Sequence, residues 1–199
     1  KAACLAIAEA NPITSFRALV KTSFHSKEGI QSARYAVLYQ MPSSVRIELL
    51  PTSGFYALGV LAGSNQSGFT YLDVVNKESI FDQSFGGLSE IIFQGLRFSL
   101  EDLVAGMAGH LPQEVCDDAV TIRTNDDLGK VFIESKRQER LWVFDKSLNR
   151  ISALVITDPF SDNHQLEFIV DLTKTNNPIE LFAPLLDISA EMNFIKYEK

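Results

Sequence analysis

The sequence predicts a mainly antiparallel β-domain, and three observations favour this fold class. Apolar runs of strand length recur along most of the chain, and many of them alternate between apolar and polar residues. Clusters of Gly, Pro, Asn, Asp and Ser separate these runs at the spacing of hairpins. The apolar period becomes that of a helix only near the middle of the chain. Because no repeat or linker divides the 199 residues, a single domain covering 1–199 is expected.

The first half of the chain contains six candidate strands. In 33–41 every second residue is apolar, and 45–49 alternates as clearly. For 16–24 a strand is predicted, with a helix as the alternative. The segment 55–61 is apolar on both faces. The remaining candidates are 69–75 and 79–81.

Two helices are predicted in the middle of the chain, at 88–96 and 100–107, where apolar residues recur at helical spacing. Ser99 followed by Asp102 is an N-cap signature for the second helix, because the serine oxygen can accept a hydrogen bond from a free backbone N–H. A glycine and a proline soon after residue 107 are expected to end the helical region. The strand pattern then resumes, with candidates at 120–123, 130–134, 141–145, 151–156, 166–172, 179–182 and 188–197.

The charge and hydropathy of the chain limit its partners. A formal net charge of −7 argues against nucleic acid, since contacts to phosphate need clustered Lys and Arg. The densest basic segment, 136–140, is predicted to be a solvated hairpin tip. No stretch approaches the ~20 apolar residues that a membrane-spanning helix requires. Because the chain begins at Lys1, an upstream segment is expected, and any membrane association is expected through an anchor there.

No set of residues is arranged for catalysis or metal binding. The three histidines, at 25, 110 and 164, are far apart and belong to no H-x-x-x-H or H-E-x-x-H pattern, and C-x-x-C is also absent. No serine lies in a G-x-S-x-G elbow. The chain is therefore predicted not to be an enzyme and to use no cofactor or metal. A catalytic site assembled from distant residues is the alternative.

The two cysteines, Cys4 and Cys116, allow one intramolecular disulfide. Such a bond would close a loop of over a hundred residues and would indicate an oxidising compartment. Two separate buried thiols are the alternative. A lipid anchor on Cys4 is a third hypothesis, because two alanines precede it, but Lys1 lies where a lipobox has an aliphatic residue.

Strands 55–61 and 151–156 offer apolar side chains to both faces, although a half-solvated antiparallel sheet buries only one. Either protein covers both faces, or one face lines an apolar cavity. The two predicted helices can cover such a face as a lid. A filled core and an open cavity are both compatible with the sequence.

The segment 35–48, YAVLYQMPSSVRIE, contains a strand, a proline, three residues, an arginine and a continuing strand. This pattern resembles the LolA/LolB-like family of bacterial periplasmic lipoprotein carriers and receptors, as does 96–112 with its two glycines. The order of hairpins, two short helices and further hairpins is similar over most of the chain. The resemblance implies a curved, incomplete β-barrel (a half-barrel) with a short helical lid, and acyl chains or other lipids bound between sheet and helices.

The resemblance also implies ligand-binding residues. Arg46 matches an arginine that, in the family, ties the lid to the sheet through hydrogen bonds. Strict alternation instead places Val45 and Ile47 in the core and Arg46 in solvent, so both positions of Arg46 remain open. The expected ligand-binding residues are Arg46, Phe55, Leu58, Val60, Leu88, Ile91, Ile92, Leu96, Leu103 and Met107.

The function implied by the resemblance is that of a non-enzymatic lipoprotein of the Gram-negative envelope, in the periplasm or on the outer membrane. Its expected partner is a lipid or the acyl chain of a lipoprotein, with an envelope protein as a further partner. The receptor branch has a protruding loop with an exposed leucine, whereas 51–54 is short and has none, so insertion of lipoproteins is not expected. The alternatives are a structural or adaptor protein with a filled core, and an enzyme that uses the same cavity.

Overall fold

The computed structural model describes residues 1–10, 13–27, 29–41, 44–53, 56–92, 98–117, 120–135, 139–157, 164–170, 178–184 and 187–198. The α-helices are α1 (Ala2–Ala10), α2 (Phe85–Ile92) and α3 (Leu100–Ala108), and a 3-10 helix covers Gln113–Asp117. The strands of the first half are β1 (Ser15–Ser26), β2 (Gly29–Gln40), β3 (Ser44–Leu50), β4 (Gly59–Ser64), β5 (Gly68–Asp73) and β6 (Glu78–Asp82). Those of the second half are β7 (Val120–Asn125), β8 (Lys130–Ser135), β9 (Arg140–Asp145), β10 (Arg150–Thr157), β11 (His164–Val170), β12 (Ile179–Ala183) and β13 (Ile188–Glu198).

The strands form one antiparallel sheet in the order β6-β5-β4-β3-β2-β1-β13-β12-β11-β10-β9-β8-β7. Each half is a meander of consecutive hairpins, and the pairing of β1 with β13 joins the two halves. Among the described strands, β6 and β7 do not pair with each other, so the barrel is open there. Both α2 and α3 lie in the segment that connects these two edges. The predicted half-barrel with a helical insertion is therefore confirmed.

The alternation along β1 shows which face of the sheet is buried. Phe16, Ala18, Val20 and Thr22 are buried, whereas the intervening Arg17 is exposed. Period-two burial is the mark of a strand with one face in the core, which explains why 16–24 is a strand and not a helix. This buried inner face continues around the sheet and is covered by the helices.

The helical lid consists of α2 and α3, which contact opposite halves of the sheet. Helix α2 packs on β5 and β6, and α3 packs on β10 and β11. The predicted cap of α3 is confirmed: the Asp102 backbone N–H donates to Ser99 Oγ at 3.0 Å, and the Ser99 N–H donates to the Asp102 carboxylate at 2.8 Å. Gly106 permits close packing, because a Cβ there would lie 2.6 Å from the ring of Phe168.

Helix α1 was not predicted, because its nine residues have little amphipathic pattern, no acidic residue in the first turn and no basic residue in the last. It packs on the 3-10 helix, and the disulfide between Cys4 and Cys116 joins the two, with Cα atoms 5.6 Å apart. Of the three hypotheses for the cysteines, the structure therefore has the disulfide. Helices this short are marginal alone, so tertiary attachment stabilises α1.

Candidate ligand cavity

A cavity of about 280 Å³ lies between the inner face of the sheet and the helical lid. Residues from β1, β2, β3, β11, β12 and β13 form its walls, and the lid and the residues before α3 close it. The cavity is lined by Val20, Thr22, Phe24, Tyr35, Val37, Ile47, Phe85, Phe98, Leu103, Met107, Leu166, Phe168, Leu181, Ala183, Ile188, Ala190 and Met192.

The cavity lies where the two halves of the sheet meet, and it borders the later part of β1. Val20 and Phe24 of β1 line it, whereas Phe16 and Ala18, nearer the start of the same strand, do not. Phe24 is paired with Ala190 of β13, which is also a lining residue. The sequence left a filled core and a cavity open, and the structure has a cavity whose lining includes residues of the buried core.

The cavity surface is apolar, and none of its described lining residues carries a charge. Thr22 and Tyr35 supply the polar groups. Burial raises the pKa of Tyr35 from its ordinary value of 10.0 to about 12, and the nearby Tyr71 adds to this shift. Because the phenol therefore stays neutral at physiological pH, the cavity offers hydroxyl groups and hydrocarbon but no counter-charge for an ion.

An ion pair fixes the lid to the sheet. Arg140 of β9 donates two hydrogen bonds, each 3.0 Å, to the two carboxylate oxygens of Asp102 in α3. Both side chains are largely buried, with exposed fractions of 17% and 6%. The prediction of a solvated hairpin tip is wrong for Arg140, because its strand turns this side chain toward the lid. The neighbouring 136–138 lie outside the described residues.

The structure brings two of the expected ligand-binding residues to the cavity, Leu103 and Met107 of α3. Leu88 of α2 is fully buried in the adjoining core and does not line the cavity. Leu58 is half-buried in the loop before β4, and Val60 is partly exposed on the outer face, because the inner-face position beside it is Leu61. Phe55, Leu96 and the side chains of Ile91 and Ile92 lie outside the described part of the chain.

Arg46 lies on the outer face of β3 and not in the cavity. Its side chain is 51% exposed and is 2.7 Å from the carboxylate of Glu48. The flanking residues Val45 and Ile47 face inward, where Val45 is buried and Ile47 lines the cavity. Of the two positions considered from the sequence, the structure has the one given by simple alternation. Arg140, and not Arg46, connects the lid to the sheet here.

Most of the cavity wall was not expected from the sequence. Most of the residues missed lie on β1, β2 and β11–β13, including Val20 and Phe24, and the others are Ile47 of β3, Phe85 of α2 and Phe98. The alternation along β1 and β2 identifies the missed residues of these two strands as inward-facing, so a signal was present. The alternation could not show which of the inward-facing residues border the cavity, since the shape of the cavity depends on the curvature of the sheet and the position of the lid.

The described residues show no arrangement typical of a metal centre or a membrane helix. No group of three or more His, Cys, Asp or Glu side chains comes together among them. None of the described helices has the length and hydropathy to cross a bilayer.

Solved structures with the same architecture identify the fold. A LolA superfamily protein from Nitrosomonas europaea aligns with a TM-score of 0.63 and 12% identity, over 98% of this chain and 92% of that one. The chain has a LolA-like fold. No protein-family model and no curated protein matches the sequence.

Two further structures share this LolA-like fold. One is described as an outer membrane lipoprotein-sorting protein domain from Vibrio parahaemolyticus, with a TM-score of 0.65, 8% identity, and coverage of 98% of this chain and 89% of the other. A DUF1329 family protein from Desulfovibrio piger has a TM-score of 0.67 and 6% identity, and the alignment covers 98% of this chain and 89% of that one. At these identities the likeness concerns the architecture of sheet and lid.

Proposed function

We propose that this chain is a non-enzymatic binding protein of the bacterial envelope that holds an apolar ligand, an acyl chain or lipid, between its curved sheet and helical lid. The observation that carries the proposal is the uncharged apolar cavity under a lid that is fixed to the sheet. The description of one structural neighbour as a lipoprotein-sorting domain supports the same class of ligand.

The size and chemistry of the cavity fit one hydrocarbon chain. A cavity of about 150 Å³ holds a molecule such as benzene, so a volume of 280 Å³ accommodates a chain of roughly ten carbon atoms. Removing ten methylene groups from water contributes about 8 kcal/mol before the costs of binding. Leu103 and Met107 of the lid are the predicted ligand contacts that this geometry supports, and Met107 can adapt its shape to a flexible chain.

The disulfide supports an oxidising compartment, since such bonds are rare in reducing cytosol. The LolA-like fold and its lipoprotein-sorting neighbour favour the periplasm or the outer membrane of a Gram-negative bacterium. The proposed partners are a lipid or lipoprotein acyl chain and an envelope protein.

The proposal is tested by filling the cavity. Ala190 is 4% exposed and lines the cavity wall on β13, so Ala190→Phe places an aromatic ring in the ligand space. Binding of a fluorescent fatty acyl probe is expected to weaken at least about tenfold, because the hydrocarbon loses several buried methylene positions. Thermal unfolding of each variant reports whether the fold is retained.

The matched control is Ala62→Phe, which adds the same ring to the outer face of β4, where Ala62 is paired with Arg46. It is expected to bind the probe as the wild type does. If the wild-type protein takes up no acyl probe and native mass spectrometry recovers no lipid, the chain is a structural or adaptor protein instead.

A further inference from the structure

We propose that the cavity selects acyl compounds with an uncharged head, such as esters and alcohols, over free fatty acids, and that Thr22 is the residue that anchors this head. The inference rests on the proposed function and specifies its ligand class. It depends on two independent features of the described residues: a buried hydroxyl without a partner among them, and a cavity lining in which none of them is cationic.

Thr22 lies on the inner face of β1 and is 2% exposed. Its Oγ1 has no hydrogen-bond partner within the described part of the molecule. Buried hydroxyl groups are nearly always hydrogen-bonded, because leaving one unsatisfied is unfavourable. Since Thr22 lines the cavity, a ligand that brings one polar oxygen to this wall satisfies the hydroxyl.

Tyr35 provides a second hydroxyl on the same wall. Tyr35 of β2 is paired with Val20 of β1, so Thr22, two residues further along β1, is its diagonal neighbour on the inner face. A neutral phenol and a threonine hydroxyl can each donate a hydrogen bond to a carbonyl or hydroxyl oxygen. The two groups therefore form a small polar patch in an otherwise apolar cavity.

The cationic side chains of these two strands point away from the cavity. Lys21 and Arg34 are paired across β1 and β2 on the outer face. The Arg34 side chain donates a hydrogen bond to the backbone oxygen of Pro51 at 3.0 Å. A carboxylate beside Thr22 would be desolvated without a counter-charge, and such burial is strongly unfavourable. An ester or alcohol loses much less on entering the same space.

The experiment uses four ligands of one chain length: 1-decanol, methyl decanoate, decanoate and decane. Each is titrated at pH 8 against the full chain loaded with 1-aminoanthracene, whose displacement is followed by fluorescence. We expect decanol and methyl decanoate to bind at least about tenfold more tightly than decanoate, given the cost of burying an unpaired charge. Decane reports the apolar contribution alone.

Two substitutions then test the anchor. Thr22→Val keeps the side-chain shape and removes the hydroxyl, so decanol and methyl decanoate are expected to bind about three- to tenfold more weakly while decane is unaffected. Thr22→Ser retains a hydroxyl and is expected to restore the preference.

Three outcomes separate the hypotheses. If decanoate binds as tightly as decanol, or if Thr22→Val leaves all affinities unchanged, the neutral-head proposal is overturned while acyl binding stands. If no ligand, decane included, displaces the probe, the proposed function itself fails. Selective loss of the ester and alcohol in Thr22→Val supports the inference.

Discussion

At the scale of single residues, the site depends on polar groups placed where a core would hold apolar ones. Thr22 and Tyr35 lie on the inner face of adjacent strands and line the cavity. Arg46 illustrates the opposite case, since its place on the outer face follows from its neighbours in the strand. For each of these residues, alternation in the sequence indicates which face of the sheet the side chain lies on, and its tertiary neighbours determine its role.

Tyr35 is expected to lower the free energy of unfolding at alkaline pH. The pKa of its phenol is raised by burial from 10.0 to about 12, so the unfolded chain loses this proton first as the pH rises. Its stabilising contribution is complete below pH 10 and is lost as the pH approaches 12, by on the order of 2 kcal/mol. Tyr35→Phe removes this part of the decline.

Urea unfolding of the wild type and of Tyr35→Phe is measured between pH 8 and about pH 11.5. At each pH the free energy of unfolding of the variant is subtracted from that of the wild type, so that the contributions of the other titrating groups cancel. The exposed tyrosine variant Tyr56→Phe controls for removal of a hydroxyl elsewhere. If the difference in unfolding free energy between the wild type and Tyr35→Phe stays constant across this pH range, Tyr35 is not desolvated.

At the scale of elements, the lid is defined by how α3 begins and what holds it. Asp102 both caps the helix through Ser99 and pairs with Arg140 on β9. The cap was predictable because it is local, with all its atoms within one helical turn. The ion pair was not, because it spans 38 positions in the chain.

Arg140→Met is expected to lower the free energy of unfolding by about 3–5 kcal/mol, because it leaves the buried Asp102 carboxylate without its partner. Adding Asp102→Asn removes that charge and should recover part of the loss. Arg123→Met is the matched control: it breaks an ion pair with Glu134 in which the arginine is 68% exposed, and should cost less than about 1 kcal/mol. Chemical denaturation measures all four proteins. Equal losses in the two arginine variants would contradict a buried connection between lid and sheet.

At the scale of the whole molecule, long-range connections give the half-barrel its shape. The pairing of β1 with β13 joins the first and last strands. The disulfide joins α1 to the 3-10 helix across a separation of 112 residues. Neither connection follows from a local sequence pattern, although the strand alternation permits the pairing and the two cysteines permit the disulfide.

Replacing both cysteines by serine is expected to destabilise the protein by about 4–5 kcal/mol, the value for a loop of this length in the chain-entropy model. Because α1 packs mainly on the 3-10 helix, its amides should also lose protection from hydrogen exchange. Wild-type protein under reducing conditions should behave like the double variant. Retention of both stability and α1 protection would mean that packing alone holds the helix.

The sequence by itself determined the strand alternation, the position of the helical insertion and the cap at Ser99, because each depends on residues within a few positions of one another. The resemblance of its segments 35–48 and 96–112 to the LolA/LolB-like family also predicted the half-barrel. Only the tertiary structure decided that Arg140 faces the lid, that the cysteines meet, and that a cavity remains beside Thr22. The physical reason is that alternation assigns a side chain to a face, whereas the curvature of the sheet and the seating of the helices decide what that face encloses.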